Sequence, residues 1–195
     1  MTDPDRLRAA FDEVDRRDFL PASQRGFADE DTALRIGHGQ TNSQPRTVWT
    51  MLDLLDVGRG HRVLDVGCGS GWTTALLGRL VGATGCVTGL EIVPELVAWG
   101  RKNLASYAMA WTSIEQADPH VLGLPQRAPF DRVLVSAEAT TLPESLVSQL
   151  TPDGVLVVPV SGVMSVVRLT RGERRVARAG HYSFVPLREP HRPGA

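Results

Sequence analysis

Apolar residues along the chain follow two different periods, and their order predicts strands that alternate with helices. Short β-branched and apolar runs predict buried strands at 63–66, 87–91, 108–114, 132–136, 155–159, 163–169 and 176–185. Apolar residues at helical spacing predict helices from Asp5 to about Asp18, and others that begin near Pro45, after Gly71, at Pro94 and at Pro143, the last reaching Leu150. This order predicts an α/β fold with a doubly wound, mostly parallel seven-stranded sheet, which ends in an antiparallel hairpin turning at Arg171–Glu173.

The first quarter of the chain predicts less regular structure. Residues 21–42 are rich in Gly, Asp and Ser, which is typical of a surface loop, and a long loop beside a ligand-binding fold is often functional. A chain of 195 residues fits one domain. We therefore expect a single domain over residues 1–195, in which residues 1–45 form a substrate-binding or lid extension on a core of residues 46–195.

A glycine loop supplies the first functional signal. The strand at 63–66 ends in Gly67-x-Gly69-x-Gly71 and is followed by a helix, so free backbone N–H groups point at whatever the loop holds. This spacing is tighter than the G-x-G-x-x-G of dinucleotide-binding proteins and is typical of S-adenosylmethionine (SAM) enzymes. Glu91, at the end of the next strand, stands where a carboxylate that binds ribose is expected. A nucleoside site at this edge of the sheet follows, with SAM as the expected cofactor.

Composition excludes several other classes of protein. The formal net charge of −1 provides no overall field for nucleic acid or an anionic membrane, and no apolar stretch approaches the length of a membrane span. The two cysteines, Cys68 and Cys86, do not form a disulfide framework or a metal-binding set, and no metal site is expected. These two cysteines suit a reducing compartment, so we expect a cytoplasmic protein, and the N-terminus lacks the basic and apolar segments of a signal peptide.

The segment Ile36–Pro45 carries several hydrogen-bonding side chains immediately before a helix. On residue statistics alone, Ser43 or Gln44 would cap that helix next to Pro45. His38 by itself is more typical of a structural or surface histidine than of a catalyst. The residues alone do not choose between capping and a functional role for Ser43.

With these motifs in place, the chain resembles the protein-L-isoaspartate O-methyltransferases over nearly its full length. The resemblance is carried by Arg17–Pro21, Ile36–Pro45, Val63–Gly71, Pro129–Asp131, Leu156–Val160 and Phe184–Leu187. The Gly-x-Gly-Gln-Thr-x-Ser-Gln-Pro block is specific to that family, whereas the glycine loop is common to many methyltransferases. The resemblance implies a Rossmann-like SAM methyltransferase fold, Ser43 as the active-site residue in place of a cap, and methylation of isoaspartyl carboxylates in protein repair.

The resemblance also implies residues for two binding sites. The expected cofactor-binding residues are Gln40, Thr41, Asn42, Asp65, Gly67, Cys68, Gly69, Ser70, Gly71, Glu91, Ile92, Asp118, Pro119, His120 and Ser136. The expected substrate-binding residues are Ile36, His38, Ser43, Gln44, Ala137, Glu138, Val160 and Ser161. Among these, Asp65 to Gly71 should bracket the methionine end of SAM, Glu91 the ribose and Asp118 the adenine amine. The expected partner is a protein or peptide bearing isoaspartate or aspartate, and the protein should be a monomer.

Several positions near the ligand depart from the family pattern. Pro119 follows Asp118 where a residue with an N–H is usual, so His120 or a water would have to serve the adenine ring. Asn42 stands where an apolar residue is usual and would place an extra amide beside the substrate carboxylate, and Glu138 would add a negative charge near the substrate groove. Three readings follow: a repair enzyme, a specialised relative that methylates an aspartate or another carboxylate of a particular peptide, and a SAM-binding protein without catalysis.

Overall fold

A computed structural model describes residues 1–188, so the last part of the predicted domain, residues 189–195, lies outside the described residues. Seven strands form one sheet and two short strands form a separate hairpin. The strands are β1 (Leu34–Gly37), β2 (Gln40–Asn42), β3 (Arg62–Val66), β4 (Cys86–Glu91), β5 (Thr112–Gln116), β6 (Phe130–Val135), β7 (Leu150–Val160), β8 (Val163–Thr170) and β9 (Glu173–His181). The helices are α1 (Pro4–Glu13), α2 (Pro45–Leu55), α3 (Trp72–Val81), α4 (Pro94–Ala105) and α5 (Glu144–Val147).

The large sheet has the order β5-β4-β3-β6-β7-β8-β9. Strands β3 to β7 pair in parallel, and β8 and β9 continue the sheet antiparallel. The order reverses between β3 and β6, and the crevice at such a switch point is where open α/β sheets bind ligands. The predicted doubly wound, mostly parallel seven-stranded sheet with a C-terminal antiparallel hairpin is confirmed.

The sheet is buried on both faces because successive side chains of a strand point in opposite directions. In β3, Val63 packs into the core that includes helices α1 to α4, while Leu64 packs into a second core with α5. Both side chains are at most 1% exposed. Continuous apolar strands therefore support covering layers on both sides, which leaves the strand ends as the place for polar function.

Some predicted boundaries were wrong, each for a local reason. The first helix ends at Glu13, because Val14 is extended and Asp15 caps a separate 3-10 turn at Arg16–Phe19. The strand expected at 108–114 is Thr112–Gln116, since Ala108 takes a left-handed conformation with φ 49°. The helix expected from Pro143 to Leu150 covers only Glu144–Val147, and Leu150 already pairs with Phe130 in the sheet.

The last two differences lie near the site. The strand expected at 176–185 is β9, which ends at His181, so residues 182–185 leave the sheet. The loop expected at 21–42 contains a 3-10 helix at Ala22–Phe27 and the β1–β2 hairpin. The hairpin turns through Gly37, His38 and Gly39, which all have positive φ.

None of the helices in residues 1–188 has the length and apolar composition to cross a membrane. The boundary between an extension and a core at residue 45 stays a prediction.

Candidate active site

The glycine loop between β3 and α3 is bent as its sequence predicts. Gly67, Gly69 and Gly71 have φ values of 77°, 56° and 95°, which residues with a Cβ rarely adopt. The N–H groups of Gly67 and Cys68 donate to the Leu90 carbonyl at 2.8 and 3.0 Å, which fastens the loop to the end of β4. A Cβ on Gly69 would lie 3.1 Å from Ile36 Cδ1, so the N-terminal hairpin packs directly on this loop.

Glu91 is the main acceptor for the backbone at this edge. Its Oε2 accepts the Gly69 N–H at 2.9 Å, and its Oε1 accepts the N–H groups of Ile92 at 2.7 Å and Val93 at 2.9 Å. The side chain is only 5% exposed. One carboxylate thus fixes the glycine loop and the entry to α4 together, and it also lines a cavity at the switch point of the sheet.

Asp65 and Cys68 lie deeper in the structure. Asp65 Oδ2 accepts the hydroxyls of Thr73 at 2.7 Å and Thr74 at 2.8 Å, whereas Oδ1 has no hydrogen-bond partner among the described residues. Complete burial is the main cause that raises the pKa of Asp65 to about 6, and the Glu91 carboxylate adds to the increase. Burial also raises the pKa of the Cys68 thiol. Cys68 is therefore a neutral apolar side chain at physiological pH, not a nucleophile.

A cavity at the switch point, called the cofactor cavity below, lies over the carboxyl ends of β3, β4 and β6. Of the predicted cofactor residues, it is lined by Gln40, Thr41, Gly67, Gly69, Glu91, Ile92, Asp118 and Ser136. A smaller cavity between the β2 end and the glycine loop is lined by Asn42, Cys68 and Ser70, together with Thr41, Ser43 and Ser136. Asp65, Gly71, Pro119 and His120 line neither cavity. Sequence reasoning missed the wall formed by Val121, Leu122, Gly123 and residues 185–188.

The segment after β5 forms its own turn. The His120 N–H donates to Asp118 Oδ1 at 2.8 Å, and Asp118, Pro119 and His120 are all exposed. The His120 N–H is thus engaged within this turn, and the expectation that His120 or a water serves the adenine ring in place of the N–H missing at Pro119 stays a prediction.

Ser43 lies between the small cavity beside the glycine loop and a separate groove. The groove has a volume of about 600 Å³ and runs between the start of α2 and the segment that follows β9. Both Ser43 and Ser136 line this groove and the smaller cavity. The Ser136 Oγ is buried and has no hydrogen-bond partner among the described residues. Because buried polar groups are normally hydrogen-bonded, this hydroxyl is available to bind a ligand or a water. The two serines thus connect the two binding regions.

Capping does not account for Ser43 or Gln44. Gln44 is the residue that precedes α2, and its side chain makes no capping hydrogen bond within the described chain. Asp31 takes that role instead, since its Oδ1 accepts the Arg46 N–H at 2.8 Å while its Oδ2 accepts from Gln44 Nε2 at 3.0 Å. The backbone hydrogen bond from Arg46 is the main cause that lowers the pKa of Asp31. The capping interpretation was wrong.

Of the predicted substrate residues, the groove is lined by Ser43 and Gln44. Ile36 is buried against the glycine loop, Ala137 lines the cofactor cavity, and His38 is exposed at the hairpin tip. Val160 and Ser161 lie at the β7–β8 turn, where the Ser161 N–H and hydroxyl donate to the carbonyls of residues 139 and 140. The groove wall that sequence reasoning missed comprises Ala33, Arg46, Thr47, Thr50 and His181–Val185.

Two departures from the family pattern have local partners. Glu138 Oε2 accepts the Gly162 N–H at 3.1 Å, and the Glu138 backbone pairs with Val185 and Leu187. The Asn42 side chain is turned inward, toward Arg16 and Ser70, and is 5% exposed. The Asn42 amide thus faces Arg16 and Ser70, and the Glu138 carboxylate accepts from the β7–β8 turn. The expected extra amide beside the substrate carboxylate and the expected negative charge near the groove stay predictions.

The site combines a sharply bent glycine loop, an acidic residue at the end of the next strand and a cavity at the switch point of a doubly wound sheet. That combination is the one used by the Rossmann-like SAM-dependent methyltransferases. The residues present fit SAM, because the glycines let a ligand approach the backbone closely and the Ser136 hydroxyl has no protein partner among the described residues. The model of the family protein-L-isoaspartate(D-aspartate) O-methyltransferase matches residues 1–192, and the chain belongs to this family. Among the residues described, no group of three His, Cys, Asp or Glu side chains could hold a metal ion.

Relatives of known name agree with this assignment. The protein-L-isoaspartate O-methyltransferase of Methanothrix thermoacetophila is 41% identical over 185 residues, which cover 94% of this chain and 88% of the relative. That of Thermococcus onnurineus is 39% identical over 193 residues, which cover 96% of this chain and 87% of the relative. A Plasmodium falciparum member solved with S-adenosyl-L-homocysteine superposes with a TM-score of 0.83 at 26% identity, covering 95% of this chain and 91% of that one. The chain is therefore a SAM-dependent carboxyl methyltransferase.

Proposed function

We propose that the protein carries out the repair reaction of its family, methylation of the L-isoaspartyl carboxylate in damaged proteins, and that Ser43 orients this carboxylate. The observation that supports the role of Ser43 is its position: it lines both the open groove and the small cavity beside the glycine loop. A side chain at this junction can reach a peptide carboxylate in the groove while the methyl donor occupies the cofactor region.

The chemistry asks little of the protein beyond orientation. A carboxylate with a reference pKa near 3.9 is already ionised at neutral pH, so attack on a methyl group needs no general base. When bound, SAM supplies an electrophilic methyl group on its sulfonium. The Ser43 hydroxyl donates a hydrogen bond to one carboxylate oxygen and leaves the other to react, because the transfer needs a dry approach with the carboxylate in line with the methyl group and the sulfur.

The local contacts of Asn42 and Glu138 favour the repair enzyme over a specialised relative. A new substrate would need new groups facing the groove, yet the Asn42 amide bonds Arg16 and the Glu138 carboxylate accepts the Gly162 N–H. Neither of these residues lines the groove. The departures from the family pattern therefore act within the protein and leave the substrate-facing surface free for an isoaspartyl residue.

A matched pair of peptides tests the reaction. The purified protein is incubated with SAM labelled in its methyl group and with two peptides that differ only in isoaspartate or aspartate at one position. Base-labile label on the isoaspartyl peptide alone is the expected result. Label on the aspartyl peptide would favour a specialised relative. SAM binding without label on either peptide would favour a specialised relative with another substrate or a protein without catalysis.

The role of Ser43 is tested by Ser43→Ala. A hydrogen bond to a charged group contributes about 1.5–3 kcal/mol, so the variant should methylate about ten- to a hundredfold more slowly. Ser23→Ala, at an exposed serine in the N-terminal 3-10 helix, is the matched control and should keep the wild-type rate. Unchanged turnover of a folded Ser43→Ala protein would remove Ser43 from the reaction.

We further propose that the protein works as a cytoplasmic monomer. Its two cysteines are both free thiols, one of them exposed, which suits a reducing compartment. Size-exclusion chromatography with light scattering measures the oligomeric state.

A further inference from the structure

A buried arginine, Arg16, lies outside both predicted binding sites and contacts the segment that carries Ser43. Arg16 is only 5% exposed although it lies in the N-terminal 3-10 turn. Burial lowers its pKa to about 10, which keeps the guanidinium charged at neutral pH. A charge at this depth needs several partners, so the contacts of Arg16 indicate what it does.

Every donor group of the Arg16 guanidinium has an acceptor in the N-terminal segment. Nε donates to the Asn42 side-chain oxygen at 2.8 Å. Nη2 donates to the carbonyls of Ser43 at 3.0 Å, Thr32 at 2.7 Å and Asn42 at 3.3 Å. Nη1 donates to the carbonyls of Ala28 at 3.2 Å and Glu30 at 3.0 Å. The guanidinium therefore joins two stretches of chain, 28–32 and 42–43, that are otherwise separated by the hairpin.

The same network reaches the glycine loop. Asn42, held by Arg16, directs its amide nitrogen at Ser70 Oγ at a distance of 3.5 Å. The guanidinium also lies over the ring of Trp72, the first residue of α3, with its carbon 5.4 Å from the ring centroid. One side chain thus contacts the segment that carries Ser43 and the helix that follows the glycine loop.

We propose that Arg16 is a positioning residue for methyl transfer, because it fixes the Ser43 segment against the glycine loop. The proposal rests on the role of Ser43 proposed above. Lysine retains the charge but offers a single ammonium in place of a planar fork, so it cannot satisfy both stretches at once. In Arg16→Lys, Ser43 would still be present but would sample orientations in which the carboxylate is not aligned.

The test compares Arg16→Lys and Arg16→Gln with Arg17→Gln, a change at the adjacent arginine, which is exposed and pairs with Asp15 and Asp29. Rates are measured with an isoaspartyl peptide at 10 °C, and folding is checked by circular dichroism. Arg16→Lys should lower kcat about ten- to a hundredfold and change the KM for SAM less than threefold, whereas Arg17→Gln should stay within twofold of wild type. A folded Arg16→Lys with wild-type kcat would overturn the proposal.

A readout that does not depend on catalysis separates this proposal from the function itself. Hydrogen–deuterium exchange of residues 40–44 should become at least tenfold faster in Arg16→Lys, with unchanged exchange in β3 and β4. This result would hold even if the wild-type protein did not methylate the peptide, in which case the proposed function alone would fail. Unchanged exchange at 40–44 would overturn the positioning role.

If neither Arg16 variant folds, Asn42→Ala removes one partner of Arg16 and leaves the guanidinium and its carbonyl contacts in place. Since the Asn42 side chain joins Arg16 to Ser70, its loss should lower kcat about three- to tenfold and speed exchange at 40–44. A folded Asn42→Ala protein with wild-type kcat and wild-type exchange would overturn the proposal.

Discussion

Replacing Glu91 by glutamine tests how the cofactor cavity is held open. The Glu91 carboxylate accepts three backbone N–H groups through its two oxygens. Glutamine keeps one oxygen, which can still accept from Ile92 and Val93, but it turns an NH₂ group toward the Gly69 N–H. Two donors then face each other in a site that is 5% exposed.

The cost can be worked from this lost bond. A hydrogen bond to a charged acceptor contributes about 1.5–3 kcal/mol, and a buried donor left without an acceptor costs a similar amount. For a chain of this size, that loss corresponds to a melting temperature lower by about 3–12 °C. If binding must restore the loop, the affinity for S-adenosyl-L-homocysteine falls by the same free energy, which is about ten- to a hundredfold.

Thermal unfolding and isothermal titration calorimetry with S-adenosyl-L-homocysteine measure both effects. Glu95→Gln, at an exposed glutamate in the first turn of α4, is the matched control and should change neither. A Glu91→Gln protein that melts within about 1 °C of wild type would refute the reasoning about the loop. A lower melting temperature with unchanged affinity would instead remove Glu91 from cofactor binding.

Two further outcomes follow from buried or bridging carboxyl groups. The folded-state pKa of Asp65, about 6, lies above the ordinary value of 3.8. The folded protein therefore binds the extra proton between pH 4 and 6, and stability is lost as the pH rises through this window, by about 3 kcal/mol. Urea unfolding should show Asp65→Asn gaining stability relative to wild type from pH 4.5 to pH 7, and a pH-independent difference would contradict the burial argument. Glu138→Ala removes the acceptor of the Gly162 N–H. At roughly 1 kcal/mol, this loss should lower the melting temperature by about 2–4 °C, and an unchanged melting temperature would mean that the contact does not stabilise the β7–β8 turn.

The central strands could be predicted from sequence because burial on both faces leaves a clear mark. Nearly every residue of Val63–Val66 and Val87–Leu90 is apolar or small. The glycines that follow β3 indicate the sharp turn into α3. Strands at the edge of the sheet have a less distinct apolar pattern. The start of β5 was placed four residues early because Ala108 to Trp111 are apolar, although a left-handed turn at Ala108 delays the strand.

The parts of the site that sequence reasoning missed are assembled by tertiary contacts. The groove wall at His181–Val185 contains ordinary polar and apolar residues, and only the end of β9 brings them opposite Ser43. Arg16 and Arg17 are adjacent residues of the same type, yet Arg16 is buried and Arg17 is exposed. The two arginines differ in their place on the 3-10 turn at Arg16–Phe19: with three residues per turn, Arg16 lies on the same side as Phe19, which is buried in the core.

The segment that follows β9 has a kinetic consequence. Val185 lines both the cofactor cavity and the groove, and its carbonyl accepts the Glu138 N–H at 2.8 Å. A peptide lying in the groove therefore covers the outer side of the segment whose inner side closes the cofactor cavity. With a peptide in the groove, we expect the nucleoside to exchange with solvent mainly after the peptide has left. We therefore expect ordered turnover, with SAM entering before the damaged protein and S-adenosyl-L-homocysteine leaving after the methyl ester has departed.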